Sequence, residues 1–197
     1  MGSEMCIRDR PWTELAQPAP LSVYGASKWA GDQAVLALCH KALILRTGWL
    51  YDSHGRHFLQ AVLPRLLNHQ TLQVVDDQIG APTPARVVAQ QAVLMLRQLL
   101  SGRSDSAGLY HLACQGETSW YGFACAILQQ LQQQGRALQA AIEPVSSAHY
   151  RQLYPQAAPR PFNSRLALAK VEQHFGLQLP DWQSQLTQVL SQYRLES

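Results

Sequence analysis

This sequence has no concentrated basic charge, no paired cysteines and no long apolar run, and each absence excludes a class of protein. The 16 Lys and Arg residues exceed the 13 Asp and Glu residues by three. They are scattered, whereas nucleic-acid-binding proteins gather them into a stripe. No apolar run approaches the roughly 18 residues of a membrane span. No apolar h-region follows the first charges, as it would in a signal peptide. We therefore expect a protein that binds neither nucleic acid nor membranes.

Cysteine usage indicates the compartment. The four cysteines form no C-x-x-C pair and no Cys/His cluster with the spacing of a zinc site. They are Cys6, Cys39, Cys114 and Cys125. Such isolated residues are typical of reduced thiols in a cytosolic protein, so the sequence predicts a cytoplasmic location.

The composition is that of a globular protein with a buried core. Hydrophobic residues make up 47% and charged residues 15% of 197 residues, which suits one ordinary domain or a fragment of a larger one. The first ten residues, MGSEMCIRDR, have no amphipathic period and do not lead into Pro11 and Trp12. We expect residues 1–10 to be an artefactual leader. A genuine short leader or tag is the alternative.

Strands alternate with helices along the rest of the chain, which predicts an α/β sheet. We expect an extended loop over 11–21 and a helix from Ser22. The predicted strands are 42–51, 72–75 and 108–114, with a possible short strand at 138–142. The further predicted helices are 57–67, 83–100, 119–135, 164–175 and 181–193.

Two of these helices carry clear start signals. Thr83 can accept a hydrogen bond from a free amide, and Pro84 at the first helical position gives up no hydrogen bond. Ser119 is predicted to cap the next amphipathic helix, which includes Trp120 on its apolar face. A histidine on the preceding strand, His111, is interpreted as a structural residue with its hydrogen bonds satisfied, not as a catalytic one.

A Y-x-x-x-K motif, Tyr24 to Lys28, is the main chemical feature of the chain. A spacing of four places the phenol and the ammonium on one helix face, one turn apart. Reduction of a ketone by hydride requires a proton at the oxygen, and a phenol with its ordinary pKa of about 10 is a poor acid at neutral pH. A nearby ammonium and an oxidised nicotinamide ring stabilise the phenolate. The alternative is a solvated surface pair.

The surroundings of this motif resemble the dTDP-4-dehydrorhamnose reductases, which are extended short-chain dehydrogenases. The resemblance is carried by five segments in order, covering Pro11 to about Arg194. They are PLSVYGASK before and around Tyr24, LRTGWLY at 45–51, DQIGAPT at 77–83, GLYH at 108–111 and RPFNSRL at 160–166.

The resemblance implies residue roles. Tyr24 would donate the proton, and Lys28 would be its partner and would hold the cofactor ribose. Trp49 would pack on the deoxysugar, with a core Trp on a strand as the alternative. Gln78 would shape the sugar pocket, as could Thr83, although a helix cap alone explains Thr83. Arg160 and Asn163 would close the substrate side or would fix the loop before a helix.

The resemblance also implies an organisation. The fold would be a partial Rossmann-like α/β fold of the extended short-chain dehydrogenase type, without its first strands and with a small carboxyl-terminal α/β substrate-binding region. Residues 11–76 would end the NAD(P)-binding part, and 77–197 would mainly bind the nucleotide sugar. A glycine-rich G-x-x-G-x-x-G turn is absent, so we expect the chain itself to be inactive and to expose a sheet edge and an apolar face.

Several partners follow from the same comparison. The cofactor would be NADPH or NADH, and the substrate a nucleotide sugar, reduced in dTDP-rhamnose biosynthesis. Arg86 stands where some members have a glutamate that binds Mg²⁺, so no Mg²⁺ is expected. A homodimer of the full-length protein is possible. The alternatives are a nucleotide-sugar epimerase or dehydratase, and a non-catalytic regulatory or binding relative.

Overall fold

A computed structural model describes residues 10–102 and 107–193, which form seven helices and eight short strands. The helices are α1 (Val23–Leu38), α2 (Phe58–Leu67), α3 (Ala85–Leu100), α4 (Trp120–Gln133), α5 (Ser147–Leu153), α6 (Ala169–Phe175) and α7 (Trp182–Ser191). The strands are β1 (Leu43–Arg46), β2 (Leu50–Tyr51), β3 (Leu72–Val75), β4 (Ile79–Gly80), β5 (Thr83–Pro84), β6 (Gly108–His111), β7 (Thr118–Ser119) and β8 (Ile142–Val145).

The strands pair over long sequence separations. β1 lies parallel to β6, with Leu43 opposite Gly108, and β3 lies parallel to β8, with Leu72 opposite Ile142. The two-residue strands β2 and β5 are also parallel, and β4 and β7 are antiparallel. Parallel strands require crossover connections, which the helices supply. The predicted α/β class is confirmed.

The core consists of two clusters of buried apolar side chains. The larger one packs α2, α4 and α7 against β3, and its fully buried members include Leu59, Leu66, Phe123, Ile127 and Val189. The smaller one joins α3, β6 and α6, and contains Met95, Tyr110, Leu112, Val171, Phe175 and Leu179. Burial of side chains of this size contributes about 1.5–3 kcal/mol each to stability, so these clusters hold the elements together.

Two predicted helix starts are confirmed in atomic detail. The Ser22 hydroxyl accepts from the Gly25 amide at 3.2 Å at the start of α1. The Ser119 hydroxyl accepts from the Gly122 amide at 2.9 Å at the start of α4. Each bond satisfies one of the amides that a helix leaves free at its first turn.

The predicted cap at Thr83 is wrong. Thr83 belongs to β5, and its amide donates to the Trp49 carbonyl at 3.1 Å. Its hydroxyl donates to the Ala81 carbonyl and accepts from the Cys114 amide at 3.1 Å, so it is not available to a helix. α3 begins at Ala85, and the Asp52 carboxylate accepts from the Arg86 amide at 3.2 Å. A side chain 34 positions earlier therefore supplies the cap.

Other boundaries also differ from the predictions. The apolar run 42–51 is split into β1 and β2 because Trp49 has a left-handed φ of 50°. The helix predicted from Ser164 begins at Ala169 because residues 165–167 pair with Trp12 as extended chain. The strand predicted at 138–142 lies at Ile142–Val145, and α5 was not predicted.

The predicted exposed edge and apolar face are present in the described ranges. No residue of α1 is buried, and Val23 and Leu38 are 88% and 86% exposed. β1 hydrogen-bonds to β6 alone among the described strands. No helix of the described ranges is long and apolar enough to span a membrane.

The cysteines within the described ranges, Cys39, Cys114 and Cys125, carry free thiols, and Cys6 lies outside those ranges. Burial raises the pKa of the Cys114 thiol to about 12, so this group stays protonated at neutral pH.

Candidate functional site

Tyr24 and Lys28 lie one turn apart on α1, and both side chains are exposed. The Lys28 Nζ is 5.8 Å from the centre of the Tyr24 ring, and the Tyr24 side chain is 72% exposed. The helix that carries them is started by the Ser22 cap. The pair is therefore open to a ligand, with a proton-donating phenol beside a positive charge.

A second group of predicted residues meets around Trp120. The indole of Trp49 stacks on that of Trp120, with ring centres 3.6 Å apart and planes 9° apart. The Trp120 Nε1 donates to the Gln78 Oε1 at 3.2 Å. The Arg160 guanidinium lies 5.8 Å from the Trp120 ring centre. We call these four residues the Trp120 cluster. Trp120 itself was predicted only as part of an apolar helix face.

Gln78 is fixed from both ends of its amide. It is 8% exposed, and its Nε2 donates to the Ser147 Oγ at 2.8 Å. The Ser147 hydroxyl and amide both donate to the Asp77 carboxylate. This network joins the end of β3 to the start of α5. Buried polar groups with every partner present hold one arrangement, so the Gln78 side chain is rigid here.

Three members of the Trp120 cluster, Gln78, Trp120 and Arg160, line a cavity of about 400 Å³ between α2, β3, α5 and residues 157–160. Its polar lining is arginine-rich, with Arg65 from α2, Arg151 from α5 and Arg160. Tyr150 of α5 and Tyr154, the residue after its end, line the same cavity, with ring centres 4.7 Å apart. Guanidinium groups bind phosphate in a bidentate manner, and aromatic rings stack on planar groups. The cavity therefore suits a ligand that combines phosphate with a ring.

Sequence reasoning missed Arg65, Tyr150, Arg151 and Tyr154 as members of this cavity. A usable signal was present at 150–154, where two tyrosines four residues apart flank an arginine. On a helix this spacing places both rings on one side. The helix itself was not predicted, so the signal had no structural context.

Trp49 does not line the cavity. Its indole is covered by Trp120 and by Gly80, where a β-carbon would come within 2.6 Å of the Trp49 Cε2. A positive φ is unusual for a bulky residue and marks a constrained position. The indole that faces the cavity is Trp120. The packing of Trp49 on a sugar stays a prediction. In this structure its indole already contacts Trp120 and Gly80.

Asn163 holds the segment that leads to α1. Its Nδ2 donates to the Arg10 carbonyl at 2.8 Å, and its carbonyl accepts from the Trp12 Nε1 at 3.0 Å. Its Oδ1 accepts from the Arg165 amide at 3.1 Å. Asn163 is 6% exposed and is not among the cavity-lining residues. These contacts favour the loop-fixing alternative. No hydrogen bond or ring contact of the described residues joins Tyr24 or Lys28 to the Trp120 cluster.

Charged groups connect α1 and its leading loop to the sheet. The Arg46 Nε donates to the Asp32 Oδ2 at 2.8 Å. The His111 amide donates to the Glu14 Oε1 at 3.0 Å. Arg46 and His111 are neighbours in the β1–β6 register. His111 is 2% exposed, and this burial lowers the pKa of its imidazole, an effect that the Glu14 carboxylate opposes.

The described residues contain no group of three His, Cys, Asp or Glu side chains that could hold a metal ion. Lys28 has three N–H donors beside Tyr24, which fits the hydroxyls of a cofactor ribose. The sequence holds no glycine-rich turn for a cofactor pyrophosphate.

Parallel strand pairs with crossover helices and an exposed Tyr–Lys helix are features of Rossmann-like proteins of the extended short-chain dehydrogenase type. The chain matches the family model of the RmlD substrate binding domain over residues 4–195, and it belongs to that family.

Individual relatives agree with this assignment. The chain is 39% identical to a dTDP-4-dehydrorhamnose reductase of Escherichia coli K12 over 184 residues, which are 93% of this chain and 60% of the relative. It is 36% identical to a protein of the same name from Shigella flexneri, with the same coverage. The chain thus spans about 60% of the length of these curated relatives.

Solved structures show the same fold. A dTDP-4-dehydrorhamnose reductase from Clostridium acetobutylicum superposes with a TM-score of 0.81 at 28% identity, covering 93% of this chain and 60% of that one. One from Bacillus anthracis in complex with NADP gives 0.77 at 31% identity, covering 94% and 61%. A UDP-galactose 4-epimerase at 16% identity, with a TM-score of 0.66, shares the fold alone.

Proposed function

We propose that the protein containing this chain reduces dTDP-4-dehydro-β-L-rhamnose to dTDP-β-L-rhamnose with NADPH. The observation that carries the proposal is the Tyr24–Lys28 pair on an exposed helix of a chain in this family. Support comes from the relatives named as reductases and from the NADP in the Bacillus anthracis structure. NADH is the alternative donor.

In this mechanism Tyr24 and Lys28 act on the ketone oxygen. The nicotinamide cofactor, when bound, supplies the hydride to the carbonyl carbon. The Tyr24 phenol donates its proton to the carbonyl oxygen as negative charge develops there. The Lys28 ammonium, one turn away, stabilises the negative charge left on the phenol. Its remaining N–H donors would hold the cofactor ribose. The ketone thus gains one hydride and one proton and becomes a hydroxyl.

The arginine-lined cavity is proposed to hold the nucleotide end of the substrate. Arg65, Arg151 and Arg160 supply positive charge for the two phosphates. Tyr150 and Tyr154 supply flat surfaces for the thymine ring. Gln78 and Trp120 would contact the sugar from the cavity wall. Trp49 would support Trp120 from behind. Asn163 would act indirectly, through the loop before α1.

The remaining proposals concern organisation and setting. Residues 11–76 would end the cofactor-binding part and 77–197 would mainly bind the substrate, with the two interleaved because β3 pairs with β8. The free thiols suit a cytoplasmic location. A homodimer of the full-length protein is proposed as well.

The test is turnover of a completed protein. Residues 11–197 would be joined to the amino-terminal segment of the Escherichia coli relative, and NADPH oxidation would be followed with dTDP-4-dehydrorhamnose. Tyr24→Phe should lower kcat about 10²- to 10⁴-fold by removing the proton donor. Tyr121→Phe is the matched control, since Tyr121 lies outside the cavity lining.

The outcomes separate the hypotheses. Turnover that survives Tyr24→Phe would exclude the proposed mechanism. A folded, completed protein that binds dTDP and shows no turnover would favour a non-catalytic binding relative. A product epimerised or dehydrated without net NADPH oxidation would favour the other enzyme classes.

A further inference from the structure

Helix α1 is held to the rest of the chain by polar contacts at identifiable points. None of its 16 residues is buried in the described structure, so apolar packing contributes little to its position. A hydrogen-bonded ion pair, Arg46 Nε to Asp32 Oδ2 at 2.8 Å, joins it to β1. The two side chains are only 27% and 19% exposed, which limits screening by solvent.

Asp32 lies on the same face of α1 as Tyr24 and Lys28. The three residues are spaced by four, so each lies one turn beyond the last. Helical side chains lean toward the amino terminus. The Lys28 Nζ accordingly reaches toward the Tyr24 ring, at 5.8 Å from its centre. A carboxylate four residues after a lysine on a helix is within reach of its ammonium, although here the Asp32 carboxylate is bonded to Arg46. Asp32 therefore has two possible cations, Arg46 and Lys28.

The segment carrying Tyr24 and Lys28 is also held on its other side. Glu14, ten residues before Tyr24, accepts from the His111 amide at 3.0 Å. Arg46 and His111 face each other in the β1–β6 register. Two carboxylates that bracket the Tyr–Lys pair in sequence are thus attached to adjacent positions on two neighbouring strands.

We propose that Arg46 is a positioning residue, which holds Asp32 and so keeps Lys28 directed at Tyr24. Without Arg46, the Asp32 carboxylate is free to pair with Lys28 and draw the ammonium away from the phenol. The catalytic use of Lys28 rests on the proposed function. The position of Lys28 does not, and it is measured below without turnover, so failure of one idea leaves the other open.

The chain permits a direct measurement because it has three lysines, Lys28, Lys41 and Lys170. Reductive methylation with ¹³C-formaldehyde gives each a separate dimethylamine NMR signal, and Lys28→Arg assigns that of Lys28. In the parent, Asp32→Asn should leave the Lys28 signal in place. In Arg46→Gln the Lys28 signal should shift, and in Arg46→Gln/Asp32→Asn it should return to the parental position. Lys170, whose Nζ donates to the Leu109 carbonyl, is the internal control.

Amide exchange distinguishes positioning from general loosening of α1. Loss of the ion pair should speed exchange of the α1 amides by about two- to fivefold in both Arg46→Gln and the double variant. The Lys28 signal should nevertheless stand at its parental position in the double variant and stay displaced in Arg46→Gln. If Arg46→Gln does not fold, Arg46→Met keeps the aliphatic stem and replaces it. A Lys28 signal that is unmoved in the Arg46 variant, or that stays displaced in the double variant, overturns the proposal.

Discussion

Trp120 shows how a single side chain can serve several parts of a site. One indole stacks on Trp49, its N–H binds Gln78, and the guanidinium of Arg160 lies over its ring. Aromatic side chains combine a large apolar surface with one polar group. The position of Arg160 at the cavity wall and the amide orientation of Gln78 therefore both depend on this residue.

Arg151 should contribute to nucleotide binding by the chain itself. Arg151→Gln removes a charge from the cavity wall and should weaken dTDP binding about tenfold or more, since a hydrogen bond to a charged group contributes about 1.5–3 kcal/mol. Isothermal titration calorimetry measures the change. The control is Arg56→Gln, at an exposed arginine outside the cavity lining. Equal loss in both variants would mean that Arg151 acts only through net charge.

The sequence predicted that two site residues lie together only where they are close to each other along the chain. Tyr24 and Lys28 are one helical turn apart, so their spacing alone places them together. Arg65 and Arg151 reach the same cavity from positions 86 residues apart. Nothing in either local sequence signals that meeting, because it depends on the pairing of β3 with β8.

At the scale of elements, some helices are capped by a residue close in sequence and one is capped by a residue far away. Ser22, Ser119 and Asp181 each accept from amides within three residues, and each stands at the predicted start of its helix. α3 is capped by Asp52, which is distant in sequence, and the Thr83 hydroxyl serves the Cys114 amide. The tertiary hydrogen bond from Cys114 to the Thr83 hydroxyl thus replaces the helix cap that the local sequence predicts. The two-residue strands β2, β4, β5 and β7 are likewise too short to carry a periodic signal.

Asp181 should stabilise the chain through α7. Its Oδ1 accepts from the Gln183 and Ser184 amides at 2.9 and 3.0 Å. Asp181→Ala should lower the free energy of unfolding by about 1 kcal/mol in urea denaturation, and Asp181→Asn by less. Hydrogen bonds from Ser184 lower the pKa of Asp181, so the difference between Asp181 and Asn should shrink as the carboxylate is protonated in acid. An alanine variant as stable as the parent would contradict the cap's role.

At the scale of the whole molecule, β6 connects the smaller core cluster to the segment before α1. Tyr110 is buried in that cluster, and the backbone amide of its neighbour His111 donates to the Glu14 carboxylate. Protonation of one buried imidazole should therefore affect global stability, because it lies where loop, strand and cluster meet.

The free energy of unfolding should fall as pH drops below about 6.5, the ordinary pKa of histidine. Burial lowers the folded-state pKa of His111, so in this range the unfolded chain binds the proton and the folded chain does not. The contribution is fully present above the unfolded pKa and is lost as pH falls toward the folded pKa. The slope attributable to one group is at most about 1.4 kcal/mol per pH unit.

Urea denaturation at a series of pH values measures this slope. His111→Gln should flatten it, whereas His40→Gln, at an exposed histidine, should not. An unchanged slope in the His111 variant would assign the acid sensitivity to other groups.

The parallel strand pairs also set a schedule for folding during synthesis. Leu72 precedes its register partner Ile142 by 70 residues, and Leu43 precedes Gly108 by 65. At about 5–20 residues per second, β3 would be synthesised roughly 4 to 14 s before β8. Once β3 has left the ribosome and until β8 is made, its backbone amides and carbonyls lack their native partner and can pair with other chains. The order of translation thus exposes this fold to chaperone binding before its arginine-lined cavity exists.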